Sequence, residues 1–217
     1  MKIKIIMLSG GYDSTGLLFW ALSRYPESSV VAHHICLVNA ERRHALESEA
    51  VARIEEYAAS RALPCRFSRS KVENMNPHHY GRDIVHAGFM GAQIAAAAFY
   101  EHRRHYPQVD VYTGGTIEDG VDDQIEQRDG IWKKHAIFNA YFADWKPHWP
   151  KPTISAPMKD ATKESVARHI PAELMPHIVT CRRPVISPAG VFECGACVSC
   201  ARKRLIAEVP GVRFSRM

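Results

Sequence analysis

Ser9-Gly10-Gly11-Tyr12-Asp13-Ser14 decides the fold, because it joins an apolar strand pattern at residues 3–8 to a helical pattern at residues 14–24. Two glycines let the backbone approach an anion closely, and the N–H groups at a helix N-terminus attract negative charge. The serines add hydroxyl donors, and Asp13 can help to hold a magnesium ion or orient a substrate group. The stretch therefore predicts a phosphate-binding loop. The plain alternative is a glycine turn followed by a Ser or Asp helix cap.

Strand and helix patterns alternate along the chain beyond this loop. Further strands are predicted at residues 30–38, 64–67 and 109–112, and helices at about 41–61 and 83–103. This alternation predicts an α/β fold with a parallel sheet of four to five strands and helices on both faces. A proline-rich stretch at residues 147–157 marks a change of direction. We therefore expect an α/β domain over residues 1–150, with a helical and four-cysteine region over residues 151–217 packed on it.

Composition and charge exclude several classes of protein. The 217 residues are 46% hydrophobic and 24% charged, which is typical of a folded globular chain and excludes wholesale disorder. The net charge of +5 suits an anionic ligand but falls short of the basic stripe of a nucleic-acid-binding protein. No apolar run approaches the ~20 residues of a membrane span. We expect a cytoplasmic protein that binds no membrane, and we do not expect it to bind nucleic acid.

Four of the six cysteines form a metal-binding pattern near the C-terminus, Cys181-x12-Cys194-x2-Cys197-x2-Cys200. Four thiolates fill a closed tetrahedral zinc site, which is structural because no position stays open for catalysis. An iron–sulfur cluster and free thiols are the alternatives. Cys36 and Cys65 are predicted to be small buried apolar residues. The basic residues expected to offset the charge of the thiolates are Arg182, Arg183, Arg202 and Lys203.

The loop and the cysteine pattern together resemble the 7-cyano-7-deazaguanine synthase (QueC) family of the pyrophosphatase-type (PP-loop) ATP-binding superfamily. This resemblance implies an adenine-nucleotide α-hydrolase-like fold and makes residues 1–150 a PP-loop ATP-binding domain. Further segments similar to the family's pattern follow in the same order: Gly81-Arg82-Asp83, Val111-Tyr112-Thr113-Gly114, Gln127-Arg128-Asp129, Ser155-Ala156-Pro157-Met158, Asp160 to Glu164 and Thr180-Cys181. The chain departs from that pattern at residues 39–42 and 125–127.

The resemblance implies a ligase that forms carbon–nitrogen bonds. ATP is cleaved between its α and β phosphates, and the carboxylate of 7-carboxy-7-deazaguanine is adenylated. Ammonia then gives the amide, and a second adenylation gives the nitrile, 7-cyano-7-deazaguanine, a step of queuosine biosynthesis. The implied cofactors are ATP, Mg²⁺ and Zn²⁺, and the implied assembly is a homodimer.

The implied site residues fall into four groups. The catalytic residues are Asp13, Arg82 and Lys163. The ATP-binding residues are Ser9, Gly10, Gly11, Asp13, Ser14, Thr15 and Gly114. The substrate-binding residues are Arg82, Arg128 and Asp129. The metal ligands are Cys181, Cys194, Cys197 and Cys200.

Other functions remain open at this stage. The departures at residues 39–42 permit a relative that attaches a deazaguanine to a partner protein in an antiviral gene cluster. A PP-loop tRNA-modifying enzyme, such as a thiolase, needs a sulfur-carrying cysteine or an iron–sulfur cluster. A zinc-knuckle RNA-binding module would use the glycine loop only as a turn. The adjacent pairs His33-His34 and His78-His79 are not expected to chelate a metal, because neighbouring strand residues point to opposite faces.

Overall fold

A five-stranded parallel sheet forms the centre of the protein. We describe it from a computed structural model, which covers residues 2–38, 42–73, 108–117, 136, 139–140 and 152–207. The strands are β1 (Lys2–Met7), β2 (Ser29–Val38), β3 (Cys65–Glu73), β4 (Gln108–Tyr112) and β5 (Pro152–Ser155), in the spatial order β3-β2-β1-β4-β5. All neighbouring strands are parallel, which confirms the predicted α/β class and the upper strand count.

Short helices connect and cover the strands. The α-helices are α1 (Tyr12–Arg24), α2 (His44–Ser60), α3 (Lys163–Ala167) and α4 (Val198–Ala207). A 3-10 helix spans Ala172–His177, and an antiparallel hairpin pairs β6 (Val185–Ser187) with β7 (Gly190–Phe192). In the part of the chain that the structure describes, no helix is long and apolar enough to cross a membrane.

Apolar side chains cover both faces of the sheet. On one face, helices α1, α2, α3 and α4 and the 3-10 helix contribute to a single cluster with Ile6 and Val30 of the sheet and with Leu8, which follows β1. The opposite face carries a smaller buried cluster from four strands: Ile3, Ile5, Val31, Val109, Val111 and Ile154. The helix predicted at residues 83–103 lies outside the described residues.

Helix α3 crosses α1 at close range. A Cβ atom at Gly16 would lie 2.4 Å from Val166 Cγ1, so only glycine permits this approach. Thr162 caps α3 through its Oγ1, which accepts from Ser165 N at 3.1 Å. The crossing places Lys163, the first residue of α3, beside the start of α1.

The structure corrects two predicted boundaries and adds one strand that was not predicted. Helix α1 begins at Tyr12 rather than Ser14, so half of the glycine loop is already helical. Strand β3 continues to Glu73, well past the predicted end, because it pairs with β2 along its whole length. The proline-rich stretch contains the unpredicted strand β5, which Pro152 opens at the sheet edge, where proline is tolerated.

The division at residue 150 stays a prediction. Strand β5 follows that boundary and pairs with β4 in the main sheet. On the edge of β5 that no strand pairs with, the side chain of Asn139 bonds the backbone of Ile154. Asn139 Oδ1 accepts from Ile154 N at 2.7 Å, and Asn139 Nδ2 donates to Ile154 O at 3.0 Å. The C-terminal region therefore contributes to the sheet as well as packing on it.

Candidate functional site

A cavity of about 390 Å³ opens at the carboxyl edge of the sheet. It lies at the end of β1, which has β2 as its neighbour on one side and β4 on the other. The order in which the strands follow along the chain reverses at this point of the sheet. This reversal creates the crevice in which open parallel sheets bind ligands. Residues from the ends of β1, β2 and β4, from α3 and from the four-cysteine region line the cavity.

The glycine loop forms the floor of this cavity. Gly10 has a φ of +76°, and a Cβ there would lie 2.6 Å from Ala50 Cβ, so both conformation and space require glycine. Ser9 N donates to Ser14 Oγ at 3.1 Å, and Ser14 Oγ donates to Gly11 O at 3.3 Å. Among the described residues, no side chain caps the N-terminus of α1 at Gly11. The first N–H groups of α1 are thus suited to an anion.

Gly114 brings the end of β4 against the same helix terminus. A Cβ at Gly114 would lie 3.0 Å from Ser14 N and 3.1 Å from Asp13 Cβ. Any larger residue would push the loop after β4 away from α1. Gly114 therefore narrows the cavity around the helix N-terminus.

Opposite charges from two elements meet beside the loop. Lys163 Nζ donates to Asp13 Oδ2 at 2.9 Å, and both side chains line the cavity. Asp13 lies in the first turn of α1, where a carboxylate is favoured by the helix dipole. The pair presents an anion for a metal ion and a cation for a phosphate oxygen.

Tyr12 lines the cavity, but its hydroxyl is buried. The residue is 4% exposed, and Tyr12 Oη has no hydrogen-bond partner among the described residues. Burial, aided by the charge of Glu193, raises the pKa of Tyr12, so the hydroxyl keeps its proton. A buried hydroxyl without a partner is costly.

One flank of the cavity is apolar and carries a neutral histidine. Met7, Ile35 and Leu37 line it beside His33. Burial and the neighbouring His34 lower the pKa of His33 to about 4, and the His33 ring nitrogens lie 2.8 Å from Ser68 Oγ and 3.1 Å from Ser70 Oγ. This flank suits a flat uncharged ring rather than a phosphate.

His34 points to the opposite face of β2, as predicted. His34 Nδ1 lies 2.9 Å from Leu8 O, and His34 Nε2 lies 3.0 Å from Ser48 Oγ. The two adjacent histidines therefore do not converge on one metal. His78 and His79 lie outside the described residues.

The four-cysteine region contributes a wall of the cavity that sequence reasoning missed. Thr180, Arg182, Ser199 and Arg202 line the cavity there. The expectation that the basic residues of this region offset the charge of the thiolates stays a prediction. Lys203 Nζ donates to Glu193 Oε2 at 2.6 Å and to Ile178 O at 2.5 Å.

The four predicted metal ligands converge. The sulfur atoms of Cys181, Cys194, Cys197 and Cys200 all lie within 4.8 Å of one another. Backbone N–H groups point at two of them: Cys194 N donates to Cys181 Sγ at 3.2 Å, and Cys197 N donates to Cys194 Sγ at 3.3 Å. Gly195 makes the predicted turn with a φ of +69°. The residues present therefore fit a metal ion.

Local hydrogen bonds prepare two of the thiols to ionise. Against the opposing effect of burial, backbone N–H groups of Arg182 and Cys200 lower the pKa of Cys197 to about 6. Backbone N–H groups of Ala196 and Cys197 lower the pKa of Cys194. Thiolates are the species that bind metal ions. Cys36 and Cys65, by contrast, are half-buried and lie outside the cluster.

The structure brings together most of the predicted site residues that it describes. Gly10 shapes the loop from beneath, while Thr15 is fully buried behind the cavity wall and its N–H already donates to Gly11 O at 3.0 Å. Arg82, Arg128 and Asp129 lie outside the described residues. The predicted residues that line the cavity are Ser9, Gly11, Asp13, Ser14, Gly114 and Lys163.

Glu193 is a further residue that sequence reasoning missed. Its Oε1 accepts from Thr180 N at 2.7 Å and from Cys181 N at 3.0 Å. Although burial alone would raise its pKa, the bond from Lys203 and these backbone donors lower the pKa of Glu193, so it stays ionised. Its position directly before Cys194 was the available signal, because carboxylates next to metal ligands often orient them.

Comparisons with known proteins give a likeness in fold alone. No protein-family profile matches the chain, and no curated protein matches it in sequence. Its structure is similar to that of the U34-tRNA thiolase NcsA from Methanococcus maripaludis, solved with its [4Fe-4S] cluster, with a TM-score of 0.48 and 14% sequence identity. The likeness covers 96% of this chain and 63% of that chain.

Proposed function

We propose that this chain is a PP-loop enzyme that cleaves ATP between the α and β phosphates and adenylates an anionic acceptor. The observation that carries the proposal is the convergence of the glycine loop, Gly114 and Lys163 on one cavity at the carboxyl edge of the sheet. A glycine turn used only as a cap would need neither the close approach of Gly114 nor a cation from a distant helix.

The loop side of the cavity would hold the departing pyrophosphate. The N–H groups at the start of α1 and the Lys163 ammonium supply donors there. Donors that are already in place stabilise the charge that develops on a leaving group without further reorganisation. The Asp13 carboxylate would hold Mg²⁺, which supplies charge neutralisation to the polyphosphate.

The apolar flank would hold the adenine ring. Met7, Ile35 and Leu37 offer carbon surface to the ring, and His33 stays neutral at physiological pH. The uncharged flank matches the adenine ring of ATP, and the glycine loop with Lys163 beside it matches the polyphosphate. This division would orient ATP with its α phosphate between the two regions.

The acceptor would lie against the four-cysteine wall. Arg182 and Arg202 bring positive charge to that side of the cavity, which favours a carboxylate. With 7-carboxy-7-deazaguanine, a carboxylate oxygen attacks the α phosphorus and pyrophosphate leaves. Ammonia then displaces AMP to give the amide, and a second adenylation with loss of AMP gives the nitrile. Arg82, Arg128 and Asp129 remain proposed acceptor contacts.

The cysteine cluster would hold one Zn²⁺ ion in a structural role. In a cubane iron–sulfur cluster, each cysteine binds a different iron, so the four sulfurs lie farther apart than four sulfurs on one ion. Thiolates on a single zinc lie about 3.8 Å apart for Zn–S bonds of about 2.3 Å. The observed limit of 4.8 Å supports the mononuclear site.

One assay tests the reaction and the acceptor together. Purified protein is incubated with ATP, Mg²⁺, ammonium and 7-carboxy-7-deazaguanine, and the products are separated by liquid chromatography. We expect AMP, the amide and then the nitrile. AMP formation without a free nitrile would contradict the nitrile product and indicate another acceptor, such as a partner protein or a tRNA. Absence of AMP with every acceptor would refute the proposal.

The proposed assembly and ammonia source can be tested on the same protein. We propose a homodimer that takes free ammonium from solution. Light scattering would measure the mass of the particle, and a monomer would contradict the proposed homodimer. A requirement for glutamine in place of ammonium would contradict the proposed ammonia source.

A further inference from the structure

One short segment joins the phosphate loop to the cysteine cluster. We name residues 178–181 the connector. Val179 N donates to Gly10 O at 3.0 Å, and a Cβ at Gly11 would lie 3.3 Å from Val179 O. Two residues later, Cys181 supplies a buried sulfur to the cluster. The two candidate sites therefore share a backbone that is only four residues long.

Glu193 holds the connector from the cluster side. Its Oε1 accepts from Thr180 N, from Thr180 Oγ1 at 3.3 Å and from Cys181 N. Three donors on one oxygen fix the direction in which the connector leaves the cluster. Because Glu193 directly precedes Cys194, any movement of that ligand also moves the carboxylate.

Helix α4 closes the network. Lys203 Nζ donates both to Glu193 Oε2 at 2.6 Å and to Ile178 O at 2.5 Å, so one cation holds the start of the connector and its support together. Thr180 Oγ1 also lies 3.2 Å from Ser199 O, beside the ligand Cys200, so the single proton of this hydroxyl is shared between Ser199 O and Glu193 Oε1. Every ligand-bearing segment of the cluster therefore contacts the connector or Glu193.

The region around the cluster has few apolar contacts to keep it ordered without a metal ion. Val185, Ile186 and Phe192 of the hairpin are each about half exposed, at 52%, 48% and 50%. Small regions built around four thiolates gain much of their folding free energy from the metal. Loss of the ion would therefore loosen the connector and, through Val179, the carbonyl of Gly10 in the loop.

We propose that Glu193 is a positioning residue that couples the cysteine cluster to the phosphate loop, so that metal binding and polyphosphate binding strengthen each other. The inference rests on the proposed function for the identity of the loop ligand. Coupling between two binding equilibria is reciprocal: if the metal raises nucleotide affinity by a given factor, the nucleotide raises metal affinity by the same factor.

The test measures the equilibrium affinity for zinc by competition with a colorimetric chelator, with and without α,β-methylene-ATP and Mg²⁺. In the unaltered protein we expect the nucleotide to raise the zinc affinity by about 10-fold, within the usual range of coupling between sites. In Glu193→Gln the ratio of the two zinc affinities should fall towards one, because the charged bond to Lys203 is lost. Glu173→Gln removes an exposed carboxylate that pairs only with surface Arg61 among the described residues, and it should keep the full ratio.

Separate outcomes distinguish failure of the inference from failure of the proposed function. If calorimetry shows that the nucleotide binds but the equilibrium zinc affinity is unchanged by it, the coupling is refuted and the ATP site stands. If no nucleotide binds, both proposals are wrong. If Glu193→Gln fails to fold, nucleotide affinity is compared in the unaltered protein before and after zinc removal, and equal affinities would overturn the inference.

Discussion

Lys163 Nζ donates to Asp13 Oδ2 at 2.9 Å, which joins the first residue of α3 to the first turn of α1 across 150 positions of the chain. The contact depends on Gly16, since a Cβ there would collide with Val166 of α3. The pair is partly buried, with 14% of the Lys163 side chain and 27% of the Asp13 side chain exposed. Packing of two helices thus sets the charges at the phosphate site.

Replacement of Asp13 by asparagine should abolish AMP release without unfolding the protein. Loss of the carboxylate that positions Mg²⁺ should lower the rate by at least about 100-fold, or ~2.7 kcal/mol. The effect on stability should stay within ~2 kcal/mol, because the variant loses both the partly buried ion pair with Lys163 and the interaction of an acidic residue with the α1 N-terminus. AMP release is measured by chromatography and stability by thermal unfolding.

Asp160→Asn is the matched control, because Asp160 is exposed and does not line the cavity. It should retain the parent rate. A folded Asp13→Asn protein that turns over ATP at the parent rate would remove Asp13 from the active site.

Replacement of Arg182 by alanine should weaken acceptor binding selectively. Arg182 lines the proposed acceptor wall of the cavity. Loss of one charged contact should raise KM for the acceptor acid by about 10-fold, or ~1.4 kcal/mol, while Kd for the nucleotide stays unchanged. Arg183→Ala is the control, since the Arg183 side chain does not line the cavity. Equal effects of the two variants would contradict the assignment of this wall.

Replacement of Cys197 by serine should release the metal and lower the melting temperature. Loss of one of four ligands removes several kcal/mol of folding free energy, which corresponds to a Tm decrease on the order of 10 °C in a protein of this size. Cys65→Ser, at a half-buried cysteine outside the cluster, should keep its metal. Zinc content is measured by atomic emission. A fully metal-loaded Cys197→Ser protein would refute the four-thiolate site.

A buried ion pair in the sheet should make stability depend on pH. Lys4 Nζ donates to Asp110 Oδ2 at 2.5 Å and to Tyr112 Oη at 3.1 Å. Burial alone would lower the pKa of Lys4 and raise that of Asp110, but their mutual hydrogen bond reverses both shifts. The stabilisation from Asp110 is therefore present above pH ~4 and lost as the pH falls below it. The stabilisation from Lys4 is lost only as the pH rises above ~10.5.

Lys4→Met should therefore cost most stability near neutral pH. It leaves the Asp110 carboxylate buried without its cation, at a cost of ~3 kcal/mol. The cost should shrink as the pH falls towards 4, because Asp110 without Lys4 binds a proton more readily. Chemical denaturation at pH 4.5 and pH 7.5 measures the difference. A cost that is equal at both pH values would show that the pair does not titrate with folding.

Local features of the site could be predicted from the sequence. The glycine loop and the cysteine pattern are short and contiguous, so their chemistry is visible without the fold. Strand β5 was missed because Pro152 weakens a strand pattern, and only pairing with β4 reveals it. The contacts of Glu193 with Thr180 and of Lys163 with Asp13 could not be predicted, because tertiary packing brings these residues together.

The bond at which ATP is cleaved tests the central claim most directly. Phosphorus NMR of a reaction with ATP, Mg²⁺, ammonium and 7-carboxy-7-deazaguanine distinguishes the two possible cleavages. A glycine loop that holds a leaving pyrophosphate predicts AMP and pyrophosphate in equal amounts, dependent on the acceptor acid and lost in Asp13→Asn. ADP with inorganic phosphate, or no cleavage of ATP under any of these conditions, would contradict the account.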